Sequence, residues 1–146
     1  MHNADYLALV TQWRREDNTP LNLPNSPPVV RAVFDALGSS ATRDILDFYA
    51  IVGGMENGNP DDRMFELWCL DRVATENAES PWEYVWFADW LISSHLYALR
   101  PVSETHSAVY IDHKCDRKTA PEFLTDSVYD FANRLVADPT SVGVIL

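Results

Sequence analysis

Apolar residues recur along the first third of the chain with the period of a helix. Tyr6, Leu9, Val10 and Trp13 fall on one face of "ADYLALVTQWRRE", which predicts a first amphipathic helix. "DNTPLNLPNSPP" then breaks it: four prolines and three asparagines in twelve residues mark an ordered turn region. Ser26 ahead of Pro27 and Pro28 predicts a second helix start, because proline suits the first turn and serine can cap it. Val30, Val33, Phe34 and Leu37 share a face of that helix, and Gly38 is placed to end it. Ser40 is positioned to cap a third helix, "ATRDILDFYAIV", with Ile45, Phe48, Tyr49 and Val52 as its stripe. Gly53 and Gly54 stop it, and "MENGNPDDR" reads as loop.

From residue 65 the period drops to 2. In "FELWCL", Phe65, Leu67 and Cys69 point one way while Glu66, Trp68 and Leu70 point the other. "YVWFADWLI", "HLYALRP" and "AVYIDH" repeat the pattern, with Ser93 and Ser94 between two of the runs as a hairpin turn. "TDSVYDFANRLVADP" predicts a late helix opened by Thr125 or Asp126, with Val128, Phe131, Leu135 and Val136 buried and Pro139 closing it. The tail "TSVGVIL" is apolar enough to dock on the domain or on a second copy. The order predicts an α+β fold: N-terminal helices, an antiparallel sheet of about four or more strands, and one late C-terminal helix, with helices packed on one face of the sheet.

Composition fits one domain over residues 1–146: 47% of positions are apolar, enough for a core without disulfide staples. No apolar run approaches the roughly 20 residues of a membrane span. "MHNADYLALV" shows no secretory pattern, so a soluble cytoplasmic protein is expected. The net charge of −11 changes the picture more. A phosphate-binding surface needs clustered Lys and Arg, and here eleven basic residues are scattered among twenty-two acids. Direct binding to nucleic acid or an anionic membrane is disfavoured, while a basic protein partner would be attracted.

Asp89 poses the sharpest question, a lone acid within "YVWFADWLI". It shares parity with Val85, Phe87 and Leu91, so a strand running through it would bury it, at a cost unless it is partnered. A structural role at the strand end is the favoured reading. For chemistry, "HSAVYIDHKC" gathers His106, Asp112, His113 and Cys115, but strand parity splits them into two pairs. Cys69 and Cys115 lack both disulfide-framework and metal-motif spacing. No phosphate loop, nucleophile elbow or zinc-protease motif is present, and no cofactor or metal is expected.

"LDFYAIVGGM" (46–55), "FELWCLDRV" (65–73), "VWFADWLISSHLYALRP" (85–101) and "APEFLTDSVYDFANRLVADP" (120–139) occur in an order that resembles the SUKH superfamily. The shared pattern is a helix ending in a glycine pair, a Phe-x-Leu-Trp strand, an Ala-Asp strand with its hairpin, and a late aromatic-rich helix. Ala88-Asp89 departs from it by continuing into Trp90, Leu91 and Ile92 where family members carry glycines and polar residues. The resemblance implies a non-catalytic protein-binding module, an immunity protein that neutralises a toxin domain, often a nuclease. It also implies that Asp89 satisfies donors at the hairpin or borders a binding face. A regulatory or scaffold role is the alternative within that family, and a small metal- or thiol-dependent enzyme using Asp112, His113 and Cys115 is the alternative outside it.

Residues 56–89 hold nine acids against only Arg63 and Arg72. Asp61, Asp62 and the loop "TENAESPWEY" read as an acidic rim, and Trp82 adds an aromatic of the kind that anchors interfaces. The expected partner contacts are Asp61, Asp62, Glu76, Glu79, Trp82 and Glu83.

Overall fold

Five strands pair in sequence order, each antiparallel to its neighbours, in the computed structural model, which describes residues 3–79 and 82–144. They are β1 (Phe65–Leu67), β2 (Val85–Trp90), β3 (His95–Pro101), β4 (Ser107–Asp112) and β5 (Glu122–Thr125). The helices are α1 (Asn3–Arg15), α2 (Pro27–Ala36), α3 (Arg43–Ile51), α4 (Leu70–Glu76) and α5 (Val128–Ala137), with a 3-10 turn over Pro139–Val142. The architecture is α+β, with helices leading and one helix closing.

The expected stripes set the core. Tyr6, Leu9, Val10 and Trp13 of α1 are buried, as are Ile45, Phe48 and Tyr49 of α3 and the Val52 that follows it. Phe131 of α5 meets Phe65, Phe87 and Tyr97 of the sheet at ring distances of 5.0–6.0 Å. Trp13 stacks on Phe48 and Phe65. Thus α1, α3 and α5 back one face of the sheet, and each fully buried aromatic there contributes roughly 2–3 kcal/mol of hydrophobic stabilisation.

Several local expectations are corrected. "FELWCL" does not run as one strand: β1 stops at Leu67 and α4 starts at Leu70. Leu70 and Val73 fall three apart and are both buried, a helical spacing inside a run too short to show its period. Where β1 ends, Asn77 takes over the edge of β2, its amide exchanging two hydrogen bonds (2.9 Å each) with the main chain of Trp86. β5 is an addition to the expected strands. Thr42, not Ser40, stands at the N-cap of the third helix without a side-chain cap bond of its own, and Asp44 in the first turn accepts the Ile45 N–H; the last helix is capped by Ser127, whose Oγ accepts from the Asp130 N–H, instead of Thr125 or Asp126. Val136 is exposed, because α5 turns Ala132 and Leu135 inward instead. The tail docks on its own chain: Val142 and Val144 are buried, and residues 145 and 146 lie outside the described residues.

Asp44 ties three elements together. Its Oδ1 accepts from Thr42 Oγ (2.6 Å) and the Ile45 N–H (2.8 Å), and its Oδ2 accepts from the N–H groups of Ser107 (3.0 Å) and Val128 (2.8 Å). One carboxylate therefore joins the start of α3, the start of β4 and the start of α5. Both edges of the sheet are blunted. β1 is closed by the Met55 N–H bond to Leu67 and the Asp61 N–H bond to Phe65, and β5 is bulged at Leu124.

Candidate functional site

A bulge decides which way Asp89 points. The register runs Trp86 opposite Ala98 and then Ala88 opposite Tyr97, so Phe87 is an extra residue in β2. Past the bulge the parity flips. Asp89 consequently leaves the face of Val85 and Phe87 and joins that of Trp86, opposite Leu96 on β3 and Glu66 on β1. It is buried within the strand, and its partners are side chains, not the hairpin's main-chain donors. Trp68 Nε1 donates to Oδ2 at 2.8 Å and Ser93 Oγ at 3.4 Å.

Two buried carboxylates directly opposite each other on adjacent strands would repel. Arg72, projecting from α4, resolves the conflict. Its Nη1 lies 2.7 Å from Glu66 Oε2 and its Nη2 3.1 Å from Asp89 Oδ2, while the guanidinium sits 4.3 Å over the Trp68 ring. The Gly58 N–H also donates to Glu66. One cation, one indole and a loop amide thus hold the pair, which is the condition under which buried charges are tolerated.

This triad floors a cavity of about 420 Å³ between loop 57–60, α4 and the β2–β3 turn. Asp71 and Glu76, both exposed, stand on its α4 wall, so four carboxylates face it against one guanidinium. Ile92 forms the opposite lip and is 80% exposed. Leu91, Ile92 and Ser93 all have φ between 52° and 64°, a left-handed turn without a glycine. Such a backbone costs a branched side chain about 1–2 kcal/mol, and its effect is to hold two apolar residues out in water beside the acidic cavity.

A second depression, of about 710 Å³, lies across α4 between α2 and Trp82. α4 is therefore a ridge with a cavity on each flank. Glu76 faces the first and Glu79 the second. Trp82 is half-buried, edge-on to Tyr84 (4.9 Å) and Trp86 (5.7 Å), and walls the second cavity. Glu83 turns away to pair with Arg100 at 3.4 Å. Asp62 is exposed.

Asp61 leaves the expected contact surface. It is buried and accepts from Trp13 Nε1 (2.9 Å), the Arg63 N–H (2.8 Å) and the Phe65 N–H (3.0 Å). Burial raises its pKa above the usual carboxylate range, against the pull of these donors and of Arg63. With the Trp13 indole donating to it from a distant helix, this acid turns the loop into β1. Sequence reasoning named Glu76, Glu79 and Trp82 but missed Asp71 and the Glu66–Arg72 pairing. The usable signal was that "FELWCL" and "YVWFADWLI" each carry one acid among apolar residues, although only the strand register sets them opposite.

Of the four candidate ligands, His106 stands apart, while Asp112, His113 and Cys115 stay together at the end of β4, with the Cys115 N–H on the Asp112 carboxylate. His106 sits in the β3–β4 turn among Ser103 and Thr105, whereas Asp112 is at the far end of β4, about 20 Å along the strand. Asp112 accepts from Trp86 Nε1 (3.0 Å) and from the N–H groups of Lys114 and Cys115. Burial raises the Cys115 pKa, the opposite of an activated thiol. Among the described residues, no three His, Cys, Asp or Glu side chains converge to hold a metal ion, and no helix is long and apolar enough to cross a membrane.

In comparison with known proteins, no family model and no curated protein matches the chain. The SUKH resemblance therefore rests on the residues that carry it.

Proposed function

We propose that the protein is a non-catalytic protein-binding module whose α4 surface receives a basic partner. In line with the SUKH resemblance, that partner would be a toxin domain that the protein neutralises, with a nuclease as the best match in charge. The observation that supports this is the cavity in which Glu66, Arg72 and Asp89 form a rigid floor and Asp71 and Glu76 leave two free carboxylates at the mouth. A lysine or arginine entering it would find acid on the wall and the apolar side chain of Ile92 on the lip. The net charge of −11 would speed the encounter by steering. A nuclease must keep a basic groove for its substrate, which makes it a partner of the right sign.

The test is co-expression with candidate toxin domains encoded beside this protein in its native host. Growth rescue together with a one-to-one complex is the expected result. Replacing Asp71 and Glu76 by lysine should then slow association by roughly tenfold at low salt and flatten its dependence on ionic strength. Absence of both rescue and a retained partner would count against the immunity role. A complex whose on-rate ignores the two reversals would move the contact elsewhere.

A further inference from the structure

The depression on the other flank of α4 constrains what such a partner must carry. Val33 of α2 and Leu37 just past its end, Ala74 of α4 and Ala78 just past its end, and Trp82 give it apolar walls. Tyr84 and Trp86 brace the Trp82 ring from behind, at 4.9 and 5.7 Å. Arg117 lies at the base, stacked on Trp86 and bonded to the Glu76 carbonyl at 2.6 Å, so its charge is engaged within the fold. The rim instead carries Asp35 and Glu79, both exposed.

α4 spans seven residues, which makes it about 10 Å long, and a helix is about 10 Å wide. The acidic cavity and the apolar groove therefore open on opposite flanks of a single helix, within reach of one helical face of a partner. We infer that the groove takes an apolar anchor, a leucine-sized or larger side chain on a basic amphipathic helix, about one helix diameter from the Lys or Arg that enters the acidic cavity. The inference rests on the protein-binding reading and specifies its partner. Charge selects the occupant: Asp35 and Glu79 border the groove and Asp71 and Glu76 border the cavity, so the anchor must be flanked by cations. A second copy of this chain would bring its own excess of acid to the same surface.

Three synthetic helical peptides test it by fluorescence anisotropy. The first carries Leu on one face and Lys on the other, the second replaces Leu by Ala, and the third replaces Lys by Glu. The Leu/Lys peptide should bind at least tenfold more tightly than the Ala/Lys peptide, and the Leu/Glu peptide should not bind. Ala78→Phe fills the groove from an exposed position and should erase the Leu-over-Ala preference, with an unchanged thermal midpoint showing that the fold is intact. The Asp71→Lys and Glu76→Lys pair should weaken both Lys peptides. Equal binding of the Leu and Ala peptides, with both weakened by that pair, overturns the groove and leaves the protein-binding reading standing. Equal binding of the Leu/Lys and Leu/Glu peptides overturns the basic partner. No binding by the Leu/Lys peptide overturns the groove, and the rescue experiment then judges the proposed function on its own.

Discussion

Asp44 offers the sharpest quantitative test of how the fold is held. Its carboxylate receives three main-chain N–H groups, from Ile45, Ser107 and Val128, and the Thr42 hydroxyl. Burial raises its pKa above the usual carboxylate range despite those four donors. Desolvation thus outweighs hydrogen bonding for the acid itself, and a variant's cost comes from the donors it strands. In Asp44→Ala the Thr42 hydroxyl still has Ser107 Oγ at 2.5 Å, but three buried N–H groups lose their acceptor. At somewhat above 1 kcal/mol each, the loss is about 3–5 kcal/mol, a large part of a typical 5–15 kcal/mol total. Asp44→Asn behaves differently. Its oxygen can serve Ser107 and Val128 while its amide donates to Thr42, leaving only the Ile45 N–H unpaired, so the loss is about 1–2 kcal/mol. Urea unfolding followed by tryptophan emission would read this directly. With a slope of about 2 kcal/mol/M, the alanine midpoint should fall by about 1.5–2.5 M and the asparagine midpoint by less than 1 M. Equal losses for the two variants, or an alanine loss below about 1 kcal/mol, would refute the stranded-donor reasoning.

Two further outcomes are expected. Ile92→Gly relieves a left-handed branched residue and should raise stability by about 1 kcal/mol, or about 3 °C in thermal midpoint, while slowing or weakening partner capture; a lower midpoint in calorimetry would contradict it. His95 is buried against Tyr97, Trp90 and the Gly143 turn, and burial, with His113 nearby, lowers its pKa to about 4. The unfolded chain binds this proton near pH 6.5 and the native state does not, so stability should fall by up to about 3 kcal/mol as the pH drops from 6.5 to 4. His95→Gln should flatten that stretch of the pH profile, and an unchanged slope would show that other groups control it.

What could be read from the sequence follows from the range of the interactions involved. Stripes such as Tyr6–Leu9–Val10–Trp13 repeat over several turns, so period alone located α1 and α3. α4 offered only Leu70 and Val73 before its end, and next to the alternating Phe65–Leu67 the short run resembled more strand. β5 is four residues long, with Glu122 and Phe123 exposed and only Thr125 buried, leaving little pattern to detect. The site was harder still. Phe87 is an ordinary strand residue until the register makes it a bulge, and that one insertion reverses the face of Asp89. Asp44 sits in a first helical turn, where an acid normally faces solvent and favours the dipole, so nothing local marks it as a buried junction. Asp61 likewise stood beside Asp62 as if both were surface acids, and only the distant Trp13 sets them apart.

Three indoles in this protein donate to three buried aspartates: Trp13 to Asp61, Trp68 to Asp89 and Trp86 to Asp112. Asp61 and Asp112 also receive main-chain N–H groups that orient the neighbouring chain, and Asp89 receives Arg72 and the Ser93 hydroxyl. Losing either member leaves a buried polar group without its counterpart. Sequence drift in this fold should therefore act on couples, not on single positions. A lineage that trades Trp68 for a purely apolar side chain has reason to trade Asp89 as well, and with Asp89 gone Arg72 would have a single carboxylate to hold. The history of the acidic cavity is in this way tied to that of an aromatic residue at its base.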